Sequence, residues 1–240
     1  LSVGLIILIL GGYTSYMNAI GSNDVTVHTL TKPLKFIKSP YALVPVVFLL
    51  GNFLSLVIPS ASNLAIILLA TLYPILKKSG MSTLTAAAVI ATTATIMPTP
   101  LGGDNVAIAT ELGIPVTDYV FNYHAIVYLP TLIVIAITHY FWQKFMDGKD
   151  KNEIIDDVVI DDKDNIIGGF LYKTVYTLLP LLPIIILLLI YSLNIYLIKE
   201  NKITMSVEVV TLISFFITIC CELVRRRNVN AVLKETESFF

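Results

Sequence analysis

Four long apolar runs limit what this chain can fold into more than any other feature of its sequence. They cover residues 1–19, 122–143, 172–193 and 203–224. Each is about 20 residues long, the length at which a helix crosses the roughly 30 Å hydrocarbon core of a bilayer. The composition agrees, because 56% of the residues are hydrophobic and 14% are charged, whereas soluble domains are about a quarter charged. The sequence therefore predicts an all-α polytopic membrane protein built from transmembrane helices.

A fifth apolar region, residues 40–76, is interrupted in its middle. It contains no charged residue, and the polar stretch PSASN at 59–63 divides it into two arms. At about 1.5 Å per residue the second arm, 64–76, reaches only about 20 Å, which is too short to cross the bilayer. The length predicts a re-entrant helical hairpin. Two full passes would fit the charges of the flanking loops equally well.

Positive charges flank these segments and predict their orientation. They cluster before the hairpin, after it, after the run at 122–143 and after the last run: Lys32, Lys35, Lys38, Lys77, Lys78, Lys144, Lys149, Lys151, Arg225, Arg226 and Arg227. If all are cytoplasmic, as the positive-inside rule prefers, the hairpin starts and ends on the same side and residues 81–112 cross the membrane. The predicted divisions are a scaffold-type helix with a basic surface segment (1–39), the re-entrant hairpin (40–78), a broken transmembrane helix (79–121), a transmembrane helix (122–146), an acidic cytoplasmic loop (147–171), two transmembrane helices (172–224) and a cytoplasmic linker (225–240).

The broken helix contains the stretch IMPTPLGGDNVAIA at residues 96–109. Its two prolines lack N–H groups and disfavour helical geometry in the residues before them, so nearby carbonyls lose their intrahelical donors. Such unpaired groups are costly in lipid unless they line a cavity or meet a ligand. The two glycines allow unusual backbone angles and close approach of an ion. Asp104 or Asn105 then begins a new half-helix, whose N-terminus favours an anion.

The hairpin tip PSASN has a similar character, because it brings hydroxyl and amide groups into an apolar segment. Ser60, Ser62 and Asn63 supply these groups, with Asn63 starting the returning arm. Taken alone, the tip would also fit an ordinary turn capped by its own serines. Two interrupted helices in consecutive segments, however, are a pointer to a transporter site. For Asp104 three roles stay open: helix cap, cation ligand and proton carrier.

Several longer motifs, taken together, resemble a known family. They are GGYTSYMNAIGSNDVTVHTLTKPLKFIKSPY, PSASNLA followed by LLATLYPILKKSG, PTPLGGDNVAIA and ITHYFWQKFMD. In this order they resemble the anaerobic C4-dicarboxylate carrier family of the DcuC type, within the ion-transporter superfamily. The resemblance covers nearly the whole chain and is weakest in the acidic loop at 147–170, and PTPLGGD stands where the family pattern is shorter. The chain is then expected to be a fragment that covers most of the first of two inverted repeats.

The resemblance implies a homodimer with a scaffold domain and a transport domain that moves in an elevator-like manner. By motif, Ser62 and Asn63 correspond to the hairpin tip of that fold. Five further residues correspond to its unwound helix: Thr99, Gly102, Gly103, Asp104 and Asn105. The candidate substrate-binding residues are Ser60, Ser62, Asn63, Thr99 and Asn105. The candidate residues for cation or proton coupling are Ser62, Asn63, Gly102, Gly103 and Asp104.

We therefore expect a secondary transporter of the bacterial inner membrane, not an enzyme. It would move C4-dicarboxylates such as fumarate, succinate or malate by exchange or by cation or proton coupling. Its expected partners are the substrate and the lipid bilayer, with sodium or a proton as the coupling ion. We expect no cofactor and no metal beyond that sodium ion. A nucleic-acid partner is not expected, because the net charge is −1.

The alternatives come from different classes. A carrier of the same fold could move an amino acid or another organic anion. A structural membrane subunit would show no saturable binding. An intramembrane aspartyl protease is suggested by LGGD at 101–104, but position 101 is Leu, and neither a partner Tyr-Asp nor a Pro-Ala-Leu motif is present. Isolated His28, His124 and His139 are interpreted as interfacial or packing residues.

Overall fold

The computed structural model describes residues 3–37, 39–58, 60–93, 98–149, 169–196, 203 and 205–239, and every regular element among them is helical. The α-helices are α1 (Val3–Ala19), α2 (Ser22–Thr31), α3 (Pro40–Ser55), α4 (Ala61–Thr71), α5 (Tyr73–Lys78), α6 (Thr83–Ala91), α7 (Gly103–Leu112), α8 (Val116–Tyr119), α9 (Ala125–Lys149), α10 (Phe170–Leu178), α11 (Leu182–Tyr196), α12 (Val207–Arg226) and α13 (Val229–Thr236). The prediction of an all-α protein is confirmed. Most of the predicted acidic loop at 147–171 lies outside the described residues.

Among the described residues, three helical segments are long and apolar enough to cross a membrane. They are Val116–Gly148, Phe170–Tyr196 and Val207–Arg226, and they coincide with three of the predicted runs. Only 11% of the most apolar window of Val116–Gly148 is buried within the protein. An apolar helix that leaves most of its surface uncovered requires an apolar solvent, and lipid is that solvent. The chain is thus a multi-pass membrane protein.

The predicted run at 1–19 becomes one arm of a bent pair. The helical segments Gly4–Ala19 and Ser22–Phe36 meet at an angle of 74°, and they count as a fourth span if taken together. Gly21 lies at the bend with φ +73°, a left-handed conformation that glycine adopts without steric cost. A short 3₁₀ helix, Lys32–Phe36, lies within the predicted basic surface segment.

The predicted hairpin region is helical on both sides of its polar tip. The first arm, α3, has 16 residues and α4 in the second arm has 11. At about 1.5 Å per residue they are about 24 Å and 17 Å long, both shorter than the hydrocarbon core. Re-entrance stays a prediction, and the observed lengths agree with the argument that led to it.

The chain divides into two compact units. The first contains Leu1–Thr26, Pro98–His124 and Leu171–Phe240, and the second contains Val27–Met97 and Ala125–Phe170. The core of the first unit is formed by apolar side chains from α1, α7, α11, α12 and the turn before α7: Ile6, Leu10, Leu101, Val106, Leu187, Val207 and Val210. In the second unit α3 packs along α9 through Phe48, Leu132 and Ala136.

Candidate functional site

The predicted interruption is present in the described part of the chain. Helix α6 ends at Ala91, residues 98–102 are not helical, and helical structure resumes at Gly103. Residues 94–97, which include the first two residues of IMPTPLGGDNVAIA, lie outside the described residues. The break in the first unit is therefore the turn formed by residues 98–102, followed directly by α7.

Thr99 organises this turn through its backbone and its side chain. Its carbonyl oxygen accepts hydrogen bonds from the Gly102 N–H at 3.1 Å and from Asn105 Nδ2 at 2.9 Å. Its hydroxyl accepts from the Leu101 N–H at 3.2 Å. The carbonyl of a residue in this non-helical turn is thus satisfied locally, as a buried backbone acceptor requires.

Asn105 connects the turn to the helix that follows. Only 1% of its surface is exposed, and its Oδ1 lies 2.9 Å from Nδ1 of His124. Because Oδ1 can only accept, Nδ1 of His124 carries the hydrogen in this contact. His124 ends the π-helical turn Val120–His124 that leads into α9. The Asn105 side chain therefore links the turn at residues 98–102 to the π-helical turn that ends at His124, both within the first unit.

The two glycines of the break lie close to neighbouring side chains and do not adopt left-handed backbone angles, which corrects the prediction of unusual angles. Gly102 has φ −76° and ψ 125°, which any residue can adopt. A Cβ atom on Gly102 would lie 2.7 Å from Asp104 Oδ1, and one on Gly103 would lie 3.0 Å from Cγ1 of Ile7. The first contact would force the Asp104 carboxylate to move, and the second would press α7 against α1.

Asp104 does not begin the half-helix, and neither does Asn105, so that prediction is wrong. Gly102 is the N-cap, and its carbonyl accepts the first helical bond, from the Val106 N–H at 3.0 Å. The extended ψ of Gly102 lets the chain turn into the helix before either polar side chain is reached. Asp104 is exposed in the first turn of α7, where a negative charge is favoured by the helix dipole.

The hairpin tip belongs to the second unit and is described separately. Ser60 is the N-cap of α4, and its hydroxyl accepts the Asn63 N–H at 3.4 Å. Asn63 therefore lies inside the returning arm instead of starting it, because Ser60 already occupies the capping position. Ser62 is exposed, whereas Ser60 and Asn63 are half-buried.

The candidate residues thus fall into two groups. Thr99, Gly102, Gly103, Asp104 and Asn105 come together around one turn in the first unit, and Ser60, Ser62 and Asn63 lie on one turn of α4 in the second. Their roles in binding stay predictions.

Sequence reasoning missed two histidines that it interpreted as interfacial or packing residues. His124 contacts Asn105, and His139 hydrogen-bonds to Thr92 and Gln143. For His139 the sequence did contain a signal, since the spacing of four residues places Gln143 on the same helix face. For His124 the partner becomes visible only in the folded chain.

A cavity of about 720 Å³ lies beside α7 in the first unit, away from the turn. Its wall includes Thr110, Asp118, Tyr191 and Glu208. Two carboxylates in one wall repel a dianion, so this cavity is a poor match for a dicarboxylate.

Comparison with known proteins gives a consistent result. The family model described as "C4-dicarboxylate anaerobic carrier" matches residues 1–240. The chain is 32% identical to a "Probable anaerobic C4-dicarboxylate transporter DcuC" from Vibrio cholerae, over 99% of this chain and 50% of that protein. It is 34% identical to the "Anaerobic C4-dicarboxylate transporter DcuC" of Escherichia coli K12, over 76% of this chain and 38% of that protein. The resemblance drawn from the motifs is confirmed.

A third relative is a "Putative uncharacterized transporter" from Haemophilus influenzae, 37% identical over 35% of this chain and 59% of that protein. The chain spans about half the length of the Vibrio relative and less of the Escherichia one. No solved structure matches this chain.

Proposed function

This chain belongs to the anaerobic C4-dicarboxylate carrier family, and from that premise we propose that it forms part of a secondary carrier for C4-dicarboxylates such as fumarate, succinate or malate. The carrier acts in the bacterial inner membrane, in keeping with its apolar helices and its bacterial relatives. The observation that carries the proposal is the ordered break at residues 98–102, because non-helical backbone at membrane depth is tolerated where it lines a cavity or binds a ligand.

The chemistry of the break suits an organic anion and a cation together. The first N–H groups of a helix have no intrahelical acceptor and carry the positive end of the helix dipole. At α7 these groups belong to the residues that follow Gly102, so a substrate carboxylate is favoured there. We assign substrate contacts to Thr99 and Asn105 on this basis.

A cation offsets the second negative charge of the substrate. Asp104 is exposed in the first turn of α7, two residues after Gly102, and its carboxylate supplies a charged oxygen beside the backbone of Gly102 and Gly103. A sodium ion coordinated by such oxygens, or a proton on the carboxylate, would couple to substrate entry. We assign coupling to these three residues.

The hairpin tip has a parallel role in the proposal. Ser60, Ser62 and Asn63 offer hydroxyl and amide groups at the start of α4, and we assign them to substrate binding, with Ser62 and Asn63 also serving the coupling ion. These assignments rest on motif correspondence with the family. They are tested separately from the break, by Asn63→Ala and Ser62→Ala.

Alternating access, a homodimer and elevator-like movement follow from the family resemblance alone. We include them in the proposal as properties of the complete carrier. Native mass spectrometry of the purified full-length protein tests the dimer: a monomer that remains active in transport would exclude it.

The experiment that tests the function uses the full-length protein in proteoliposomes. Uptake of labelled succinate is measured with and without sodium and pH gradients, for the wild type, Asp104→Asn and Glu111→Gln. Glu111 is the matched control, because it is a second exposed acid on α7, two turns from the break. We expect saturable succinate uptake or exchange in the wild type, and loss of gradient-driven uptake in Asp104→Asn alone.

The outcomes test the transported substrate and the role of Asp104 separately. Absence of any dicarboxylate-dependent flux in the wild type would remove the cargo assignment. Unchanged transport by Asp104→Asn would leave the carrier intact and remove Asp104 from coupling.

A further inference from the structure

An apolar groove of about 750 Å³ lies between α10 and α12 on the surface of the first unit. Most of its wall consists of apolar side chains from these two helices. Several of them are between 39% and 78% exposed: Leu171, Val175, Phe216, Ile217 and Val224. Among the described residues of the wall, the charged one is Arg225. The groove is therefore an uncovered apolar surface with a cation at one end.

The groove lies along two of the segments that are long and apolar enough to cross a membrane, Phe170–Tyr196 and Val207–Arg226. On α12 its wall extends from Ile213 to Arg225, which is about 18 Å at 1.5 Å per residue. Half of the hydrocarbon core, the depth of one leaflet, is about 15 Å. The groove thus has the length of one leaflet, with Arg225 at the interface. The positive-inside prediction makes this the cytoplasmic leaflet.

Two aromatic rings of α10 hold Arg225 in place at this end. The guanidinium carbon lies 5.4 Å from the centroid of the Tyr172 ring and 4.9 Å from that of Tyr176. A cation at such distances is attracted to the face of an aromatic ring. Nη2 of Arg225 donates to Oε2 of Glu222 at 2.7 Å, its one hydrogen bond in the described structure. A guanidinium has five N–H donors, so most of them are available to a further acceptor.

The surface at this end of the groove is positively charged. Glu222 is fully buried, whereas 31% of the Arg225 side chain is exposed, so the surface presents the guanidinium and not the carboxylate. Arg226 pairs with both Glu222 and Glu235. Beyond these ion pairs, the first turn of α10 and residues 227–239 contribute three cations and one acid: Lys173, Arg227, Lys234 and Glu237. An anion is therefore favoured beside Arg225.

An occupant that fits the groove has an apolar chain about as long as one leaflet and an anionic group at its interfacial end. An anionic phospholipid has both, and basic pockets at the cytoplasmic ends of membrane helices suit such head groups. The planar fork of arginine matches the oxygens of a phosphate. A zwitterionic lipid could fill the apolar part, but its ammonium group would be repelled by the surplus of cations.

We propose that this groove binds one anionic phospholipid of the cytoplasmic leaflet, with an acyl chain along α12 and the phosphate at Arg225. The inference goes beyond the proposed function, because it concerns a lipid and not the transported substrate, and its test does not depend on transport.

The test uses the full-length protein in phosphatidylcholine liposomes that contain a trace of phosphatidylglycerol with a photoreactive diazirine in one acyl chain. After illumination, the labelled peptides are identified by mass spectrometry. Labelling is then repeated with increasing amounts of unlabelled phosphatidylglycerol or of unlabelled phosphatidylethanolamine. We expect label on the peptides that contain residues 171–176 and 213–225. We also expect phosphatidylglycerol to compete at least about fivefold better than phosphatidylethanolamine.

Charge variants test the contact with the phosphate. In Arg225→Gln we expect the preference for phosphatidylglycerol to fall about fivefold, the effect of one basic residue close to an anionic head group. Arg227→Gln is the matched control, because it removes the same charge from the same end of α12 but lies outside the wall of the groove. An exposed charge away from the site is screened by salt, so the control should change the preference by no more than about twofold.

A second pair of variants leaves every charge in place, in case Arg225→Gln fails to fold once Glu222 has lost one partner. Val175→Trp places a large side chain in the groove. Its control, Leu178→Trp, adds the same side chain to an exposed position of α10 outside the wall. Labelling of the α12 peptide should fall at least several-fold in Val175→Trp and stay at the wild-type level in Leu178→Trp.

Three results would overturn the proposal. Equal competition by the two lipids in the wild type would mean that the groove holds ordinary bilayer lipid. Absence of label from both groove segments would mean that another part of the full-length chain, or a second copy, covers the groove. Equal effects of the two variants in either pair would remove the assigned position of the lipid. None of these results depends on succinate flux, so the proposed function is tested separately by its own assay.

Discussion

Replacing Asn105 by Ala tests whether this side chain orders the break or serves only to bind substrate. The substitution removes two hydrogen bonds of 2.9 Å, one to the Thr99 carbonyl and one from His124 Nδ1. The Thr99 carbonyl keeps the Gly102 N–H, whereas the His124 ring loses this acceptor. A lost hydrogen bond costs about 0.5–1.5 kcal/mol, so for the two bonds we expect a loss of about 1–3 kcal/mol in the free energy of unfolding.

The measurement is equilibrium unfolding of the full-length protein in mixed micelles of increasing denaturing detergent. Asn122→Ala is the matched control, because Asn122 is exposed and accepts one hydrogen bond, from the Tyr191 hydroxyl at 2.9 Å. Exposed changes of this kind usually stay within about 0.5 kcal/mol. If Asn105→Ala were no more destabilising than the control but raised the KM for succinate, direct binding would replace the ordering role.

Two further substitutions test the packing of each unit. Gly51→Ala, on α3, should lower the free energy of unfolding by about 1–3 kcal/mol, because the new Cβ would overlap the side chain of Thr93. The control is Gly148→Ala, whose Cβ would meet nothing within 4 Å and which should stay close to the wild type. Equal unfolding midpoints for the two variants would contradict the packing argument. Glu222→Ala should cost about 2 kcal/mol, since the fully buried carboxylate pairs with Arg225 at 2.7 Å and Arg226 at 2.8 Å. The exposed Glu237 gives the comparison, and a loss no larger than that of Glu237→Ala would refute the pairing argument.

Most of the fold follows from patterns that act locally along the chain. Three apolar runs became long helices, because a segment that is apolar for about 20 residues satisfies its backbone only as a helix in lipid. The break was also visible, since proline removes donors wherever it stands. The bend at Gly21 was not predicted, because the glycine that follows the apolar run 1–19 does not reveal the sign of its φ from the sequence.

The candidate site was less predictable, because its geometry depends on partners distant in sequence. The position of the break followed from its prolines, but the cap at Gly102 did not, since Asp104 and Asn105 are both better capping residues by type. The contact between Asn105 and His124 joins residues 19 positions apart, and no local pattern reports it. The sequence showed that His139 and Gln143 lie on the same helix face, but it did not show that they contact Thr85 and Thr92 of another helix.

At the break, some residues are held by hydrogen bonds within the protein, and one charged residue is exposed. The Thr99 carbonyl and the Asn105 amide satisfy each other within the first unit, so the turn is ordered without needing a ligand to complete its hydrogen bonds. Asp104, the charged member, stays exposed. A turn that is already ordered loses little conformational entropy when a ligand arrives, which leaves more of the interaction energy for affinity. In the proposed carrier, a cation held at Asp104 would therefore change the field around the turn without having to form the hydrogen bonds that order it, because those bonds are already made by Thr99 and Asn105.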